Sequence, residues 1–235
     1  MKENDDFSPY AGRRSIMEAQ ADLVQARWES NLDQYDRTEM NSQQPNFSCR
    51  VELPSYFYIP NELYYSFGGQ LGKQINTQGG MDALNEALYQ LPTAEQVYSP
   101  EKYFSGEQYE VVEIANLQAD GYELIKEGTV GALDLPYILQ DTIGRGASVQ
   151  AAVGIGGGSW KDYVNSSQQL MMSVKITGDT PTELNEIYAA YSLWANTQSR
   201  FTSQQEFEGG TLYIGDTNVW ISTDGKYVRI ILTHE

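Results

Sequence analysis

The stretch AAVGIGGGSWK, residues 151–161, is the one place where residue types and spacing could hold a phosphate. Glycine loops do this by leaving backbone N–H groups open to the anion at the start of a helix. The dinucleotide fingerprint requires Gly or Ala where Ser159 stands, and the P-loop requires Gly-Lys-Ser/Thr where this chain has Trp160-Lys161-Asp162. The match fails. What the glycines offer instead is close approach of one backbone to another. His234 is the only histidine, and a nucleophilic relay needs an imidazole held by a third group, which a penultimate residue rarely provides. One cysteine and one histidine exclude a zinc site built from those residues. The 32 acidic residues leave a glycosidase-type carboxylate pair open by composition, yet no spacing selects one. Asp216, Asn218 and Asp224 lie in a hairpin pattern without the bidentate Glu of an EF-hand. Cys49 alternates with Phe47 and Val51 and reads as a small buried hydrophobe. No catalytic residue, cofactor or metal ligand is expected.

The formal net charge of −17 makes the chain repel nucleic acid and anionic membrane, and no Lys/Arg stripe opposes that. Sequence-specific nucleic-acid binding and membrane insertion are not expected. The opening MKENDDFSPYAGRRS lacks the apolar core of a signal peptide. Aromatic content is high, with 17 Tyr and 4 Trp, which suits surfaces buried only on assembly.

The elements follow from periodicity. Residues 1–45 read as an arm and a helix, in which Met17, Ala21, Val24, Trp28 and Leu32 form one apolar stripe. That stripe suits packing on its own domain or on a neighbouring subunit. Residues 46–69 have strand chemistry broken by Pro54 and Pro60, hence edge strands or loops. A short helix over 79–92 precedes strands at 108–117 and 121–128, joined by the turn QADG, and a small-residue region at 129–170 expected to be loosely ordered, close-packed or helical. The clearest part is 170–235. LMMSVKITG alternates as a strand, and Thr180-Pro181-Thr182-Glu183 fits a capping box. A helix then runs to about Thr197 with Leu184, Ile187, Tyr188, Tyr191 and Trp194 on one face. Asp224-Gly225 marks the final hairpin, with Val228, Ile230 and Leu232 opposite Tyr227, Arg229 and Ile231. The fold class is α+β, an antiparallel sheet with a packed helix in a 46–235 domain, behind an irregular N-terminal half with a helical arm.

Residues 150–235, in the order small-residue segment, strand, P-x-E helix start and final hairpin, resemble the tube and baseplate tube-initiator proteins of contractile phage tails. The resemblance implies a sheet lining a tube, a helix outside it, a homo-oligomeric ring, and a place in the virion among other virion structural proteins. The expected assembly surface comprises Trp28, Tyr56, Tyr58, Tyr64, Tyr65, Phe67, Tyr227, Arg229 and Ile231. A soluble carbohydrate- or peptide-binding module, with Trp160, Trp194 and Trp220 as stacking platforms, is the alternative. A hydrolase using a carboxylate pair is the third.

Overall fold

The computed structural model describes residues 7–43, 53–116 and 121–234. The readings placed on Phe47, Cys49 and Val51 lie outside them. The chain divides into two compact units, one spanning Pro9–Pro92 and the other running from Thr93 onward. The sequence boundary at residue 45 falls inside the first.

The first unit is helical. Helices α1 (Phe7–Ser30) and α2 (Gln34–Ser42) are followed by α3 (Ile59–Asn61), a π-helical turn (Glu62–Phe67) and α4 (Gly68–Ala87), which Gly80, at φ 69°, kinks into two helical segments. Asp33 caps α2, its side chain accepting the Asp36 N–H at 2.8 Å. Residues 55–69, read as strand-like, are thus helical. Pro60 lies in the first turn of α3, where its fixed φ and missing N–H cost nothing. The π turn turns Leu63 and Tyr64 into the core and leaves Tyr65 outside. Helices α1 and α4 cross at backbone contact. A Cβ at Gly72 would stand 2.3 Å from the Ala19 Cβ, and one at Gly68 2.8 Å from the Ser15 Cβ. Ile16, Leu71, Ile75 and Leu84 close around that crossing.

The second unit is built on one antiparallel sheet: β1 (Tyr122–Thr129), β2 (Ile155–Asn165), β3 (Leu170–Gly178), β4 (Phe201–Phe207), β5 (Gly210–Gly215), β6 (Thr217–Thr223) and β7 (Val228–His234). Their order is β1-β2-β3-β7-β6-β5-β4. Helices α5 (Ala94–Tyr98), α6 (Pro100–Ser105), α7 (Asp134–Ile143), α8 (Arg145–Val153) and α9 (Pro181–Thr197) complete it. The α+β class with a helix across an antiparallel sheet is therefore observed. Helix α9 lies on the sheet face carrying Ile176, Val219, Ile221, Val228 and Ile230, and buries Leu184, Ile187, Tyr191 and Trp194 against it. Tyr188 is half-buried. Thr180 caps α9 as expected, its Oγ1 accepting the Glu183 N–H at 3.2 Å and donating to Glu183 Oε2 at 2.8 Å. A reciprocal capping box, unread in the sequence, starts α5 at Thr93 and Gln96.

Two expectations change. Residues 108–116 make no regular strand; they run as a cover over β2 and β3, with the Glu110 N–H on the Gly156 carbonyl at 2.7 Å and Lys175 Nζ on the Glu113 carbonyl at 2.9 Å. The Glu110 N–H and the Val112 and Glu113 carbonyls are satisfied by that face instead of by a hairpin with β1. Of the readings for 129–170 the helical one holds, in α7 and α8, and the 11-residue strand β2 is the part not expected. Its glycines do what close approach predicts: a Cβ at Gly157 would stand 1.9 Å from the Glu110 carbonyl oxygen. The Asp224-Gly225 turn is wider than two residues, because Asp224 Oδ1 accepts both the Lys226 and Tyr227 N–H groups.

Candidate functional site

Three features stand apart from ordinary packing: an outward apolar face on the helical unit, a cavity in the sheet unit, and a lysine among three carboxylates.

On the helical unit the sizes of the side chains are inverted. The face of α1 turned to α4 carries Ser15, Ala19 and Ile16, whereas Met17, Val24 and Trp28 stand 51%, 60% and 56% exposed. Together with Met81 they line one shallow groove. A self-contained hairpin puts its large apolar residues inside, so this stripe is surplus to the unit's own core. Among the residues singled out in the sequence, Trp28, Tyr56, Tyr58 and Tyr65 are exposed, Phe67 is half-buried, and Tyr64 belongs to the unit's core.

The remaining three lie in the sheet unit. Tyr227 and Ile231 are half-buried, and the Tyr227 ring sits under Lys175 Nζ at 3.9 Å. Arg229 is exposed and paired with Asp224 at 2.5 Å, bracing its own turn. Hydrogen bonds from the Tyr227 N–H above all, and from the Lys226 N–H, hold the Asp224 carboxyl below its ordinary range.

Between α7, α9 and the middle strands lies a cavity of about 380 Å³. Its walls are Trp160, Trp194, Met172, Val174, Ile230 and Leu232, with Asp134 and Tyr191 at α7 and α9. Asp134 Oδ2 accepts the Gly131 N–H at 2.7 Å. Burial, with Asp134 adding to it, pushes the Tyr191 phenol up. Two of the three tryptophans read as platforms thus meet in one site. Trp220 does not join them; its Nε1 donates to the Phe207 carbonyl at 2.8 Å. Asp134 went unread because GALDLPYILQ looks like a plain helix start.

Lys102 of α6 reaches Glu95 at 2.7 Å, Glu107 at 2.9 Å, and Asp179 at the β3–α9 turn. The three carboxylates lie within 4.8 Å of one another and are, among the described residues, the group whose spacing could hold a metal ion. The Lys102 ammonium already supplies positive charge to all three. Burial pushes Glu95 up to about 9, against the lowering effect of Lys102. Lys102 is itself raised, its three carboxylate partners outweighing its burial. No single-residue signal announces this cluster, since its members are spread from 95 to 179.

A pH prediction follows. With Glu95 protonated in the folded chain and ionised in the unfolded one, folding takes up a proton between the ordinary carboxylate range and about pH 9. Stability is therefore fullest at low pH and falls as pH rises through that window. Glu95→Gln, which stays neutral, should flatten the fall, so that urea midpoints of the two proteins diverge in the variant's favour from pH 5 to pH 8. Parallel curves would show Glu95 ionised in the fold.

No protein-family model, no curated protein and no solved structure matches this chain. The class its fold defines is an α+β protein, with an antiparallel sheet crossed by α9 in one unit and helices in the other.

Proposed function

We propose that this chain is a structural subunit of a protein assembly, and that the assembly is a tailed-phage particle, in its tail tube, baseplate or neck. One observation carries the assembly reading: α1 keeps its small residues for its own crossing and turns Met17, Val24 and Trp28 to the outside. Such a stripe is stabilised when another subunit covers it, each large side chain contributing about 1.5–3 kcal/mol on full burial. The exposed Tyr56, Tyr58 and Tyr65 extend the apolar surface of the same unit. The phage setting is supported by the order of elements at 150–235, where β3 leads into α9 and the chain closes on the β6–β7 hairpin, with β4 and β5 added between them. Neighbours are copies of this chain, in a ring, and other virion proteins. No helix among the described residues is long and apolar enough to cross a membrane.

Peptide mass spectrometry on purified particles tests this. The chain should be recovered at a fixed low copy number, a multiple of three or six for a ring. Val24→Glu with Trp28→Glu should drop its incorporation by about a hundredfold, as expected when two central apolar anchors are lost. Absence of the wild-type chain from every particle fraction would end the reading. The Trp160–Trp194 cavity favours a second activity, small-ligand binding.

A further inference from the structure

We propose that the cavity between α7, α9 and the centre of the sheet receives Trp28 from a second copy of this chain, so that copies join head to tail. The inference rests on the assembly reading and deepens it by naming the two surfaces that meet. A ring needs a contact of this kind, in which one patch inserts and a different patch receives. The chain carries both. On the helical unit, Val24 and Trp28 stand outward from α1, more than half exposed. On the sheet unit, the cavity of about 380 Å³ is walled by Met172, Val174 and Leu232, all half-buried, and Ile138 stands 44% exposed at its mouth. That volume has room for an indole, and a thioether such as Met172 makes favourable contact with an aromatic ring. The cavity's capacity for a small ligand is then used by an indole of the chain itself. Lys126 and Arg200 already lie on the Trp160 and Trp194 rings, so the walls offer an occupant apolar area and no further cation site.

Charge selects this occupant. The chain has a net charge of −17, which sets one copy against another. Helix α1 escapes that repulsion: from residue 13 to residue 29 it has Arg13, Arg14 and Arg27 against Glu18, Asp22 and Glu29. Arg14 is paired with Glu18 at 2.7 Å. Arg27, beside Trp28 and one turn from Val24, is exposed and has no ion-pair partner among the described residues. On α7, Asp141 lies one turn beyond Ile138, on the same stripe of the helix. It too is exposed and without an ion-pair partner among the described residues. Arg27, carried in with Trp28, therefore finds an unpaired carboxylate next to the mouth of the cavity. Trp and Arg are the residues most often found anchoring a protein interface, and here they are adjacent. Two α1 stripes packed on each other would instead close at two copies and leave the cavity open.

The test is sedimentation of the purified full chain and two variants at micromolar concentration. Trp28→Glu removes the inserting residue and leaves the cavity whole. Ile138→Glu puts a charge at the mouth and leaves the stripe whole. Wild type should sediment as an oligomer and each variant alone as a monomer. Mixed in equal amounts, the two variants should form a pair, one of each, that grows no further. If Ile138→Glu does not fold, Val174→Trp fills the cavity and serves in its place. Arg27→Glu and Asp141→Arg should each weaken association about tenfold, and the two changes in one chain should bring it back to within about threefold of wild type. A monomeric wild type would overturn the proposal. So would an Ile138→Glu protein that still associates, since that is stripe packed on stripe, a mixture that stays monomeric, or a double charge reversal that restores nothing. Recovery of the chain from purified particles beside any of these results would leave the assembly reading standing and remove this contact alone.

Discussion

Replacing Lys102 by methionine should destabilise the sheet unit by about 3–5 kcal/mol at pH 8, the usual result of removing one partner from a buried ion pair. The Lys102 side chain is 12% exposed and its Asp179 partner 20%, so water does little to screen what is left behind. Glu107 and Asp179 would then face each other and the protonated Glu95 without a cation, all three within 4.8 Å. Two of them tie separate parts of the chain together: Glu95 belongs to α5, and Asp179 to the turn between β3 and α9. Loss of Lys102 therefore loosens the start of α9 as well as α5 and α6. Since native domains are stable by only about 5–15 kcal/mol, the effect is large. Its pH dependence identifies the cause. In the variant the crowded carboxyls hold their protons more tightly when folded than when unfolded, so stability is regained on acidification and lost as pH rises. Urea unfolding should show a full deficit at pH 8 and a small one at pH 4. Adding Asp179→Asn to Lys102→Met should return part of the loss at pH 8. An equal deficit at both pH values would mean that Lys102 acts by packing its methylenes, with the charges immaterial.

The second large effect is at Gly157, where alanine should cost about 2–4 kcal/mol. Its added Cβ would meet the Glu110 carbonyl oxygen at 1.9 Å and the Glu110 carbonyl carbon at 2.9 Å. Those atoms are backbone and have no rotamer with which to move aside. Residues 108–116 would have to lift, breaking the Glu110 N–H bond to the Gly156 carbonyl. The Tyr109 hydroxyl, which accepts the Gly158 N–H at 2.7 Å, would lose its place as well. Gly146 in α8 is the control: no heavy atom lies within 4 Å of a Cβ there, and alanine should be neutral or stabilise by up to about 1 kcal/mol. Denaturant midpoints read both. A Gly157→Ala protein within about 0.5 kcal/mol of wild type, at the level of an ordinary surface change, would show that the cover segment is not held against β2.

How legible these features were depended on whether their causes are local. The strand–helix–hairpin at 170–234 was readable because alternation, the Thr180 cap and the Asp224-Gly225 turn each act over a few residues. The same local signals misled at 55–69, where aromatic β-propensity, with Pro54 just before it and Pro60 within it, read as edge strands or loops. Packing of Leu63 and Tyr64 in the π turn, with small residues of α1 and α4 in contact, made that run helical. The α1 stripe was legible as apolar, but its direction was not: the close crossing through Ser15 and Ala19 claims the other face. Glu95, Lys102, Glu107 and Asp179 converge only through tertiary structure, as do Asp134, Trp160 and Trp194.

The strand order also dictates how the sheet comes together in time. Strands β4 to β7 pair with their neighbours in succession, and β2 and β3 are joined by a short turn. Only the β3–β7 ladder, from Leu170↔His234 to Ile176↔Val228, joins the two halves. Pairs so distant along the chain form after local ones, because a long loop must close before they gain anything. On a ribosome, β3 waits with an unpaired edge until β7 has emerged. Helix α9, synthesised between them, is in position to shield the apolar face of β3 during that interval.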